Sequence, residues 1–544
     1  MDRVLGLLLF ASVASAVAAQ PEIVPAEHRV YDWLVTQRVA GALPEYRHET
    51  RPIDRRVVRQ HLDSLAARSE RLGPPGRFWL DEFRREFFEP LDRVHSTIGD
   101  GEAGVFDPDA ERTILYARDD DWRASVWAEG VVEGRDADGT AGGLARSARL
   151  TFEASYRDWL GLYTSTLSGT QITGDADVLA DDPLLAPLYY VSRDSSNIRG
   201  PFDQTTASAR IATGPFSAEI ANERLVYGAS AEAPVVLSAN ADYLPFVRLG
   251  LRSRSITLEA VHAALSSRPN VIDASDSLFF DAPERYLALH RLEVQPTGWW
   301  TWAYTGMAVY GRRGPELAYL NPLFPVKAAE HALYDRDNTL FSLETTVRPV
   351  PGVEAYLTWL VDDLATATLG DGAYGNKWAV QAGARAAVPG SGLSAFAEYV
   401  RIEPYTYTHR FIEEGDFFNS YVHNGFGLGH PLGPNADQWL AGVEAWLPFR
   451  ARARVSGRYV RKGQNPRLGD GGVAQVGGDV RVGTPPVDSR APFLAGDVFR
   501  GPGLRAYVEI EPARGVALRF YGDAQFWEDR PNDLFLRLGL AVRP

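Results

Sequence analysis

The densest collection of side chains suited to chemistry lies between residues 403 and 437. Tyr405, Tyr407, His409, Arg410, Phe417, Phe418, Asn419, Tyr421, His423 and Asn424 stand there beside the acids Glu413, Glu414 and Asp416. Aromatic faces stack on sugar rings, while guanidinium, imidazole and amide groups bond their hydroxyls. The mixture suits polysaccharide binding, with Tyr405, Tyr407, His409, Arg410 and Tyr421 as candidate contacts. The same aromatics also suit a loop that folds inward and plugs a lumen. A second cluster is Asn222, Glu223 and Arg224 with Tyr227. It reads either as glycan contacts or as an inward hydrogen-bond network that fixes a loop. A third holds Asn321, Glu330, Asp337 and Asn338. Asn338 is its candidate contact, although Asp337-Asn338 also suits a turn into a strand.

Catalytic readings are thin, and no enzyme is expected. Glycosidases need two carboxylates flanking the scissile bond. Glu413, Glu414 and Asp416, or Asp362 and Asp363, could supply them, but loop acids commonly serve only solvation. A hydrolase serine needs a histidine partner, and no spacing pairs His262 or His290 with one. Loop acids such as Asp181 and Asp182 have no EF-hand order, and Gly425, Gly427 and Gly429 lack a nucleotide-fold context. No metal or cofactor is expected. The chain has no cysteine, which rules out disulfides, thiolate chemistry, cysteine-ligated metals and a lipoprotein anchor. A net charge of −14 over 544 residues argues against a nucleic-acid partner.

The elements that must position these groups show best in residues 438–462. Trp439, Ala441, Val443, Ala445 and Leu447 make an apolar row, and alternation resumes after Pro448-Phe449-Arg450. Folded as an antiparallel hairpin, the stretch sets Leu447 against Ala451, Val443 against Val455, Trp439 against Tyr459, and Glu444 against Arg454. Each arm has the length of a transmembrane strand, and the apolar row ends in aromatics, as at a membrane interface. Glu444, Arg452, Arg454 and Arg458 would then line a lumen. Only three basic residues are lysine, Lys327, Lys377 and Lys462, so the lumen would be arginine-rich.

Residues 1–19 read as a secretory signal. Residues 20–105 read as a small periplasmic helical region. Helices are expected over Ala26 to Val39, after an Asp54 cap with Val57, Val58, Leu62 and Leu65 inward, and from Phe78 to Val94. The basic run Arg51, Arg55, Arg56 and Arg59 is expected to be a solvated face, the alternative being contact with lipid headgroups or with the barrel mouth. Residues 106–544 carry the period-two rhythm, opening at Arg112 to Arg118 and including a glycine-rich run at Val473 to Val482 that reads either as a wall strand or as loop. The expected fold is β: a large transmembrane antiparallel β-barrel of about 16 to 20 strands, centrally 18. Short Pro/Gly turns alternate with long loops at 169–206, 225–245, 266–283, 313–337, 403–437 and 463–500.

Three segments carry a family resemblance. Residues 31–67, YDWLVTQRVAGALPEYRHETRPIDRRVVRQHLDSLAA, resemble the helical entry of the Wzi capsule-assembly proteins. Residues 222–248, NERLVYGASAEAPVVLSANADYLPFVR, and 321–340, NPLFPVKAAEHALYDRDNTL, resemble two of that family's inner segments. The resemblance implies a bacterial outer-membrane barrel with a periplasmic helical bundle. It also implies a non-catalytic lectin that binds or organises capsular or other surface polysaccharide. Partners expected are that polysaccharide and outer-membrane lipid, with the protein a monomer. The competing expectation is a channel for sugars or small anionic solutes.

Overall fold

In the computed structural model the described residues are 20–137, 142–174, 191–192, 201–266, 271–272, 284–364, 375–409, 419–469, 472–480 and 490–543. The expected signal segment therefore lies outside them. The barrel wall runs through β1 (Trp122–Ala137), β2 (Gly143–Tyr156), β3 (Leu160–Thr173), β4 (Pro201–Thr213), β5 (Phe216–Glu223) and β6 (Leu244–Arg252). It continues through β7 (Ile256–Leu265), β8 (Arg285–Thr297), β9 (Trp300–Gly311), β10 (Asn338–Val350), β11 (Val353–Asp363) and β12 (Lys377–Ala387). It ends with β13 (Leu393–Ile402), β14 (Ala436–Leu447), β15 (Ala451–Gln464), β16 (Asp497–Ala513), β17 (Val516–Gln525) and β18 (Asp533–Val542). Among the described residues these 18 strands form one closed antiparallel barrel. β18 closes onto β1 from Phe535↔Ala137 to Val542↔Gly130. Closure leaves no open edge, a requirement for a sheet whose outer face meets lipid.

The β14–β15 hairpin has the register that alternation predicts, with Leu447↔Ala451, Val443↔Val455, Trp439↔Tyr459 and Glu444↔Arg454. Phe449 and Arg450 at its turn take positive φ, 59° and 53°. Ion pairs from Arg450 to Glu82 (2.7 Å) and Asp109 (2.5 Å) help offset that strain. The outer face is apolar: Ile220, Val443 and Leu538 are 63%, 58% and 61% exposed. Such a surface is stable only against acyl chains. Trp122, Trp159 and Trp299 are exposed near the short turns, and Trp439 and Tyr459 near the long-loop end. They form the two aromatic margins of the apolar band.

Three helices sit against the short-turn end: α1 (Val30–Val39), α2 (Arg55–Ala66) and α3 (Pro74–Phe88). Asp54 caps α2, its Oδ1 accepting from the Val57 N–H at 2.8 Å. Val57, Val58, Leu62 and Leu65 are buried, as their spacing predicts. α1 starts at Val30, not Ala26, because the residues before it form a turn, the His28 N–H donating to the Pro25 carbonyl at 3.0 Å, and Ile23 bridges Asp54. α3 stops at Phe88, where Glu89 turns left-handed at φ 46° and Pro90 follows. Val94 therefore begins a strand (Val94–Gly99), contrary to the expected helix. Among the described residues no helix is long and apolar enough to cross a membrane.

Three further expectations are corrected. The basic run is not a solvated face, since Arg55 and Arg59 are buried. Both guanidiniums bond the Gln20 Oε1, and Arg55 also reaches Glu153 on β2 at 3.2 Å. Acceptors on the wall and the N-terminal segment outcompete water there. Glu111–Arg118 is a strand but not a member of the closed circuit. It pairs with the lower part of β1, Leu115↔Val126 to Arg118↔Arg123, below the point where β18 ends, and on its other side in parallel with Val94–Gly99. The Val473 run is not a wall strand either. Val473 makes one bridge, to Arg467, inside the β15–β16 connection. Gly472, Gly477 and Gly478 offer no side chains with which to hold a sheet.

Candidate functional site

The inward face of the wall carries arginine and glutamate, and the chain uses them to anchor a plug. Residues between α1 and α2 rise into the lumen. Arg38, fully buried, pairs with Glu49 at 3.0 Å and with Glu354 on β11 at 3.0 Å. Glu354 also receives His48 (2.9 Å), Arg348 (3.4 Å) and Arg385 (3.0 Å). Burial alone would raise the Glu49 carboxyl, but Arg38 beside it holds it well below the usual range. Burial pushes His48 down, against the pull of Glu49 and Glu354. Farther along, Arg291 pairs with Glu344 at 2.7 Å and donates to the Thr50 hydroxyl at 3.0 Å. Arg248 pairs with Glu219 at 2.6 Å and donates to the Pro52 carbonyl at 3.1 Å. Charges this deep are tolerable only because each has a partner.

From the opposite end two long loops descend to meet this segment. In the 224–243 loop, Val226 and Tyr227 pair antiparallel with Arg51 and Thr50. The Tyr227 hydroxyl donates to Glu259 on β7 at 2.7 Å. The 403–435 loop packs on top of it. The Tyr407 hydroxyl donates to the Val235 carbonyl and the Tyr421 hydroxyl to the Val236 carbonyl, both at 2.7 Å. Their rings stack 5.6 Å apart. Val235, Val236, Leu237, Tyr407, Tyr421 and Leu428 then form one apolar core with inward wall residues such as Phe246, Leu289 and Leu360. The plug is thus a folded core, held by burial as well as by ion pairs.

Every residue expected to bind polysaccharide except Arg410 has a definite place. Tyr405, Tyr407 and Tyr421 are buried in the plug, 1%, 1% and 0% exposed. His409 lies beside Thr408, and burial draws its pKa down to about 4. Arg410 lies outside the described residues, as do Glu413, Glu414, Asp416, Asp181 and Asp182. Asn222 donates to the Thr205 carbonyl at 2.8 Å. Glu223 accepts from the Arg224 N–H, and the Arg224 guanidinium pairs with Glu27 of the N-terminal segment. Asn338 donates to the Asn419 carbonyl at 2.9 Å, tying β10 to the 403–435 loop. The inward reading describes the bonds that Glu223, Arg224 and Asn338 make, whereas Asn222 shares the outward side of β5 with Ile220.

The lumen residues are likewise engaged. Arg452 pairs with Glu509 at 3.3 Å, Arg458 with Asp523 at 2.5 Å, and Arg454 donates to the Ala231 carbonyl at 2.5 Å and lies 3.8 Å from Glu444. Asp362 and Asp363 are bridged by Lys377 at 3.5 and 3.0 Å, and Asp362 accepts the Tyr407 N–H. They pin the plug. His262 bonds the Tyr310 hydroxyl and His290 the Tyr319 carbonyl. Glu330, His331 and Asp335 converge as a metal site would require, but Lys327 already occupies Glu330.

Among the spaces that the described residues leave are two of about 510 Å³ each. One lies in the lumen on the β1–β5 and β16–β18 side, lined by paired charges including Arg29, Glu153, Arg224 and Glu509. The other opens at the long-loop end, between His430 and Trp527. Sequence reasoning missed both of those residues as site candidates. The signal for Trp527 was its place in FWEDRPND, an aromatic and acidic turn between two clear strands.

A family model described as capsule assembly protein Wzi matches residues 186–491. In fold the chain is similar to Escherichia coli Wzi, an outer-membrane protein involved in group 1 capsule assembly and a carbohydrate-binding β-barrel. That match has a TM-score of 0.58 at 11% identity and covers 96% of this chain and 99% of the other. Pseudomonas aeruginosa OpdK with vanillate matches at TM-score 0.46 and 10% identity, over 77% of this chain and 98% of that one. Pseudomonas aeruginosa OprD matches at 0.42 and 9%, over 77% and 95%. No curated relative matches the sequence.

Proposed function

The chain belongs to the Wzi family of capsule assembly proteins, and from that premise we propose that it binds and organises capsular or other surface polysaccharide without catalysis. It sits in the bacterial outer membrane as a monomer, with the helical region on the periplasmic side and the long loops outside. One observation carries this reading. The lumen is filled from both ends, and the two fillings join at Thr50↔Tyr227. A barrel so packed is a rigid mount, and its working surface is the loop end. The carbohydrate binding of the similar Escherichia coli barrel supports the same assignment.

The charged lumen space beside the plug favours a second reading, passage of sugars or small anionic solutes. Its cations, such as Arg452 and Arg519, are paired with Glu509 at 3.3 and 3.0 Å, which leaves little net attraction for an anion. Single-channel conductance in a planar bilayer, with and without the producing cell's surface polysaccharide, decides between the two. A closed barrel that retains the polysaccharide in a binding assay is expected. Steady open-channel current that carries sugars would make transport the function.

A further inference from the structure

The recess at the long-loop end is built by strands that meet above the plug. Arg458 on β15 donates to Gln525 at 2.8 Å and pairs with Asp523 at 2.5 Å. Arg505 on β16 pairs with the same Asp523 at 2.6 Å and with Glu232 at 2.9 Å. The two guanidiniums are therefore matched by two carboxylates. A third carboxylate, Asp533, accepts from the Trp527 Nε1 at 2.6 Å. Among the described residues the lining has no spare positive charge with which to draw in a carboxylate or phosphate. It offers instead what a ring of hydroxyls needs, donors and acceptors side by side.

One buried polar group there lacks a partner, and a second faces the same recess. His430 is 3% exposed, and its Nδ1 accepts from the Leu432 N–H at 3.2 Å. A neutral imidazole then carries its proton on Nε2, which has no hydrogen-bond partner among the described residues. Gln438 is 5% exposed and points inward from β14, between the outward Trp439 and the paired Asp437. Both residues line the recess. Buried polar groups are nearly always satisfied in folded proteins, so an unpartnered donor facing a recess marks a place for a ligand's hydroxyl. Trp527 supplies the flat surface. Arg530 covers its ring at 4.0 Å, the bond from the indole Nε1 to Asp533 holds the ring plane, and the Trp527 backbone N–H donates to the Asn532 side chain at 3.0 Å.

We infer that this recess is a subsite for one neutral hexose-type residue of a polysaccharide, its ring against Trp527 and its hydroxyls on His430 and Gln438. The assignment rests on the glycan-binding reading above and adds a place and a sugar class to it.

The test uses the full-length protein in detergent micelles and an array of immobilised neutral gluco-, galacto- and manno-oligosaccharides beside oligogalacturonates. Intrinsic tryptophan fluorescence is titrated with any binder. At least one neutral probe should bind roughly tenfold more tightly than the oligogalacturonates, and Trp527→Ala should weaken it by roughly tenfold. Gln438→Ala should weaken it severalfold, and Tyr334→Ala, on the exposed 313–337 loop, should leave it unchanged. Heat-modifiable migration on gels verifies that each variant is folded, and Gln438→Ala carries the test if Trp527→Ala is not. Equal binding of oligogalacturonates, or unchanged affinity in the folded variants, overturns the assignment. If the wild type binds the producing cell's polysaccharide but no neutral probe, the subsite is lost and the function stands. If it binds neither, the glycan-binding reading falls as well.

Discussion

Thr50 and Tyr227 pair in antiparallel register inside the lumen, although one arrives from the short-turn end and the other from a loop at the opposite end. Gly228 extends the contact, its N–H donating to the Glu49 carbonyl at 2.8 Å. Its φ of 115° is a conformation that glycine adopts without strain. Neither filling is a separate cork, because each completes the hydrogen bonding of the other.

Glu354 is the strongest test of that joint. It gathers Arg38 and His48 from the N-terminal segment and Arg348 and Arg385 from the wall. Glu354→Ala would strand buried cations, a loss of roughly 3–5 kcal/mol when one partner of such a pair is removed. The barrel should survive, since its ladder does not depend on this side chain. Protease cutting within residues 40–54 should rise, together with current steps in a planar bilayer. A variant as protease-resistant and as closed as the wild type would show that the network does not hold the plug.

The loop side of the plug should respond to acid. Burial draws the His409 and His423 pKa values down to about 4 and that of His430 to about 3. Lys377 near His409, Arg285 near His423 and Arg505 near His430 push the same way. A withdrawn loop would have ordinary imidazoles, with pKa near ~6.5. It would then bind protons that the seated loop cannot. Seating is therefore fully favoured above about pH 6.5 and weakens as pH falls toward 4. Conductance events or loop proteolysis should increase between about pH 6.5 and 4, and a flat profile over that range would contradict the burial of neutral imidazoles.

What the sequence disclosed follows from which interactions are local. The β14–β15 register was legible to the residue because a period of two, a three-residue turn and the Glu444–Arg454 pair all act between neighbours. The Asp54 cap was legible for the same reason. The fate of Tyr407 was not. Its ring stacks on Tyr421 and its hydroxyl meets Val235, a residue of another loop. Nothing in the local pattern separates an aromatic that stacks on a sugar from one that stacks on a second tyrosine. Arg55 and Arg59 misled in the opposite direction. A charged face on an amphipathic helix normally meets water, and the groups that bury it, Glu153 on the wall and Glu22 and Glu89 of the N-terminal region, are all distant in sequence.

Tyr421 distinguishes a plug residue from a ligand contact. Tyr421→Phe removes the hydroxyl, with its donation to the Val236 carbonyl and its 3.3 Å contact with the Met307 Sδ, and should cost about 0.5–1.5 kcal/mol in plug stability. Polysaccharide affinity should stay within about twofold, since the hydroxyl is buried. Tyr421→Ala also removes a ring from the loop core, a loss of about 3–5 kcal/mol by analogy with other buried aromatics, and should open the lumen. A large fall in affinity for Tyr421→Phe, with the barrel still closed, would return Tyr421 to the binding surface.

The helical region should depend on one aromatic contact more than on its ion pairs. Trp79 meets Trp446 of β14 edge to face at 5.0 Å, leans on Phe83 at 5.6 Å, and donates from Nε1 to the Leu447 carbonyl at 2.8 Å. Trp79 and Trp446 are essentially inaccessible to solvent. By contrast, the Arg84–Asp63 pair between α2 and α3 is largely exposed and worth at most about 1 kcal/mol. Trp79→Ala removes a buried indole, its edge-to-face partner and a hydrogen bond together, roughly 3–5 kcal/mol. Limited proteolysis should then release fragments from residues 20–105 while the barrel band still shifts on heating. Arg84→Ala should leave the digestion pattern unchanged. Equal protease resistance in the two variants would mean that the helices are held by the lumen network around Arg38 and Glu354, and that the seat on Trp446 contributes little.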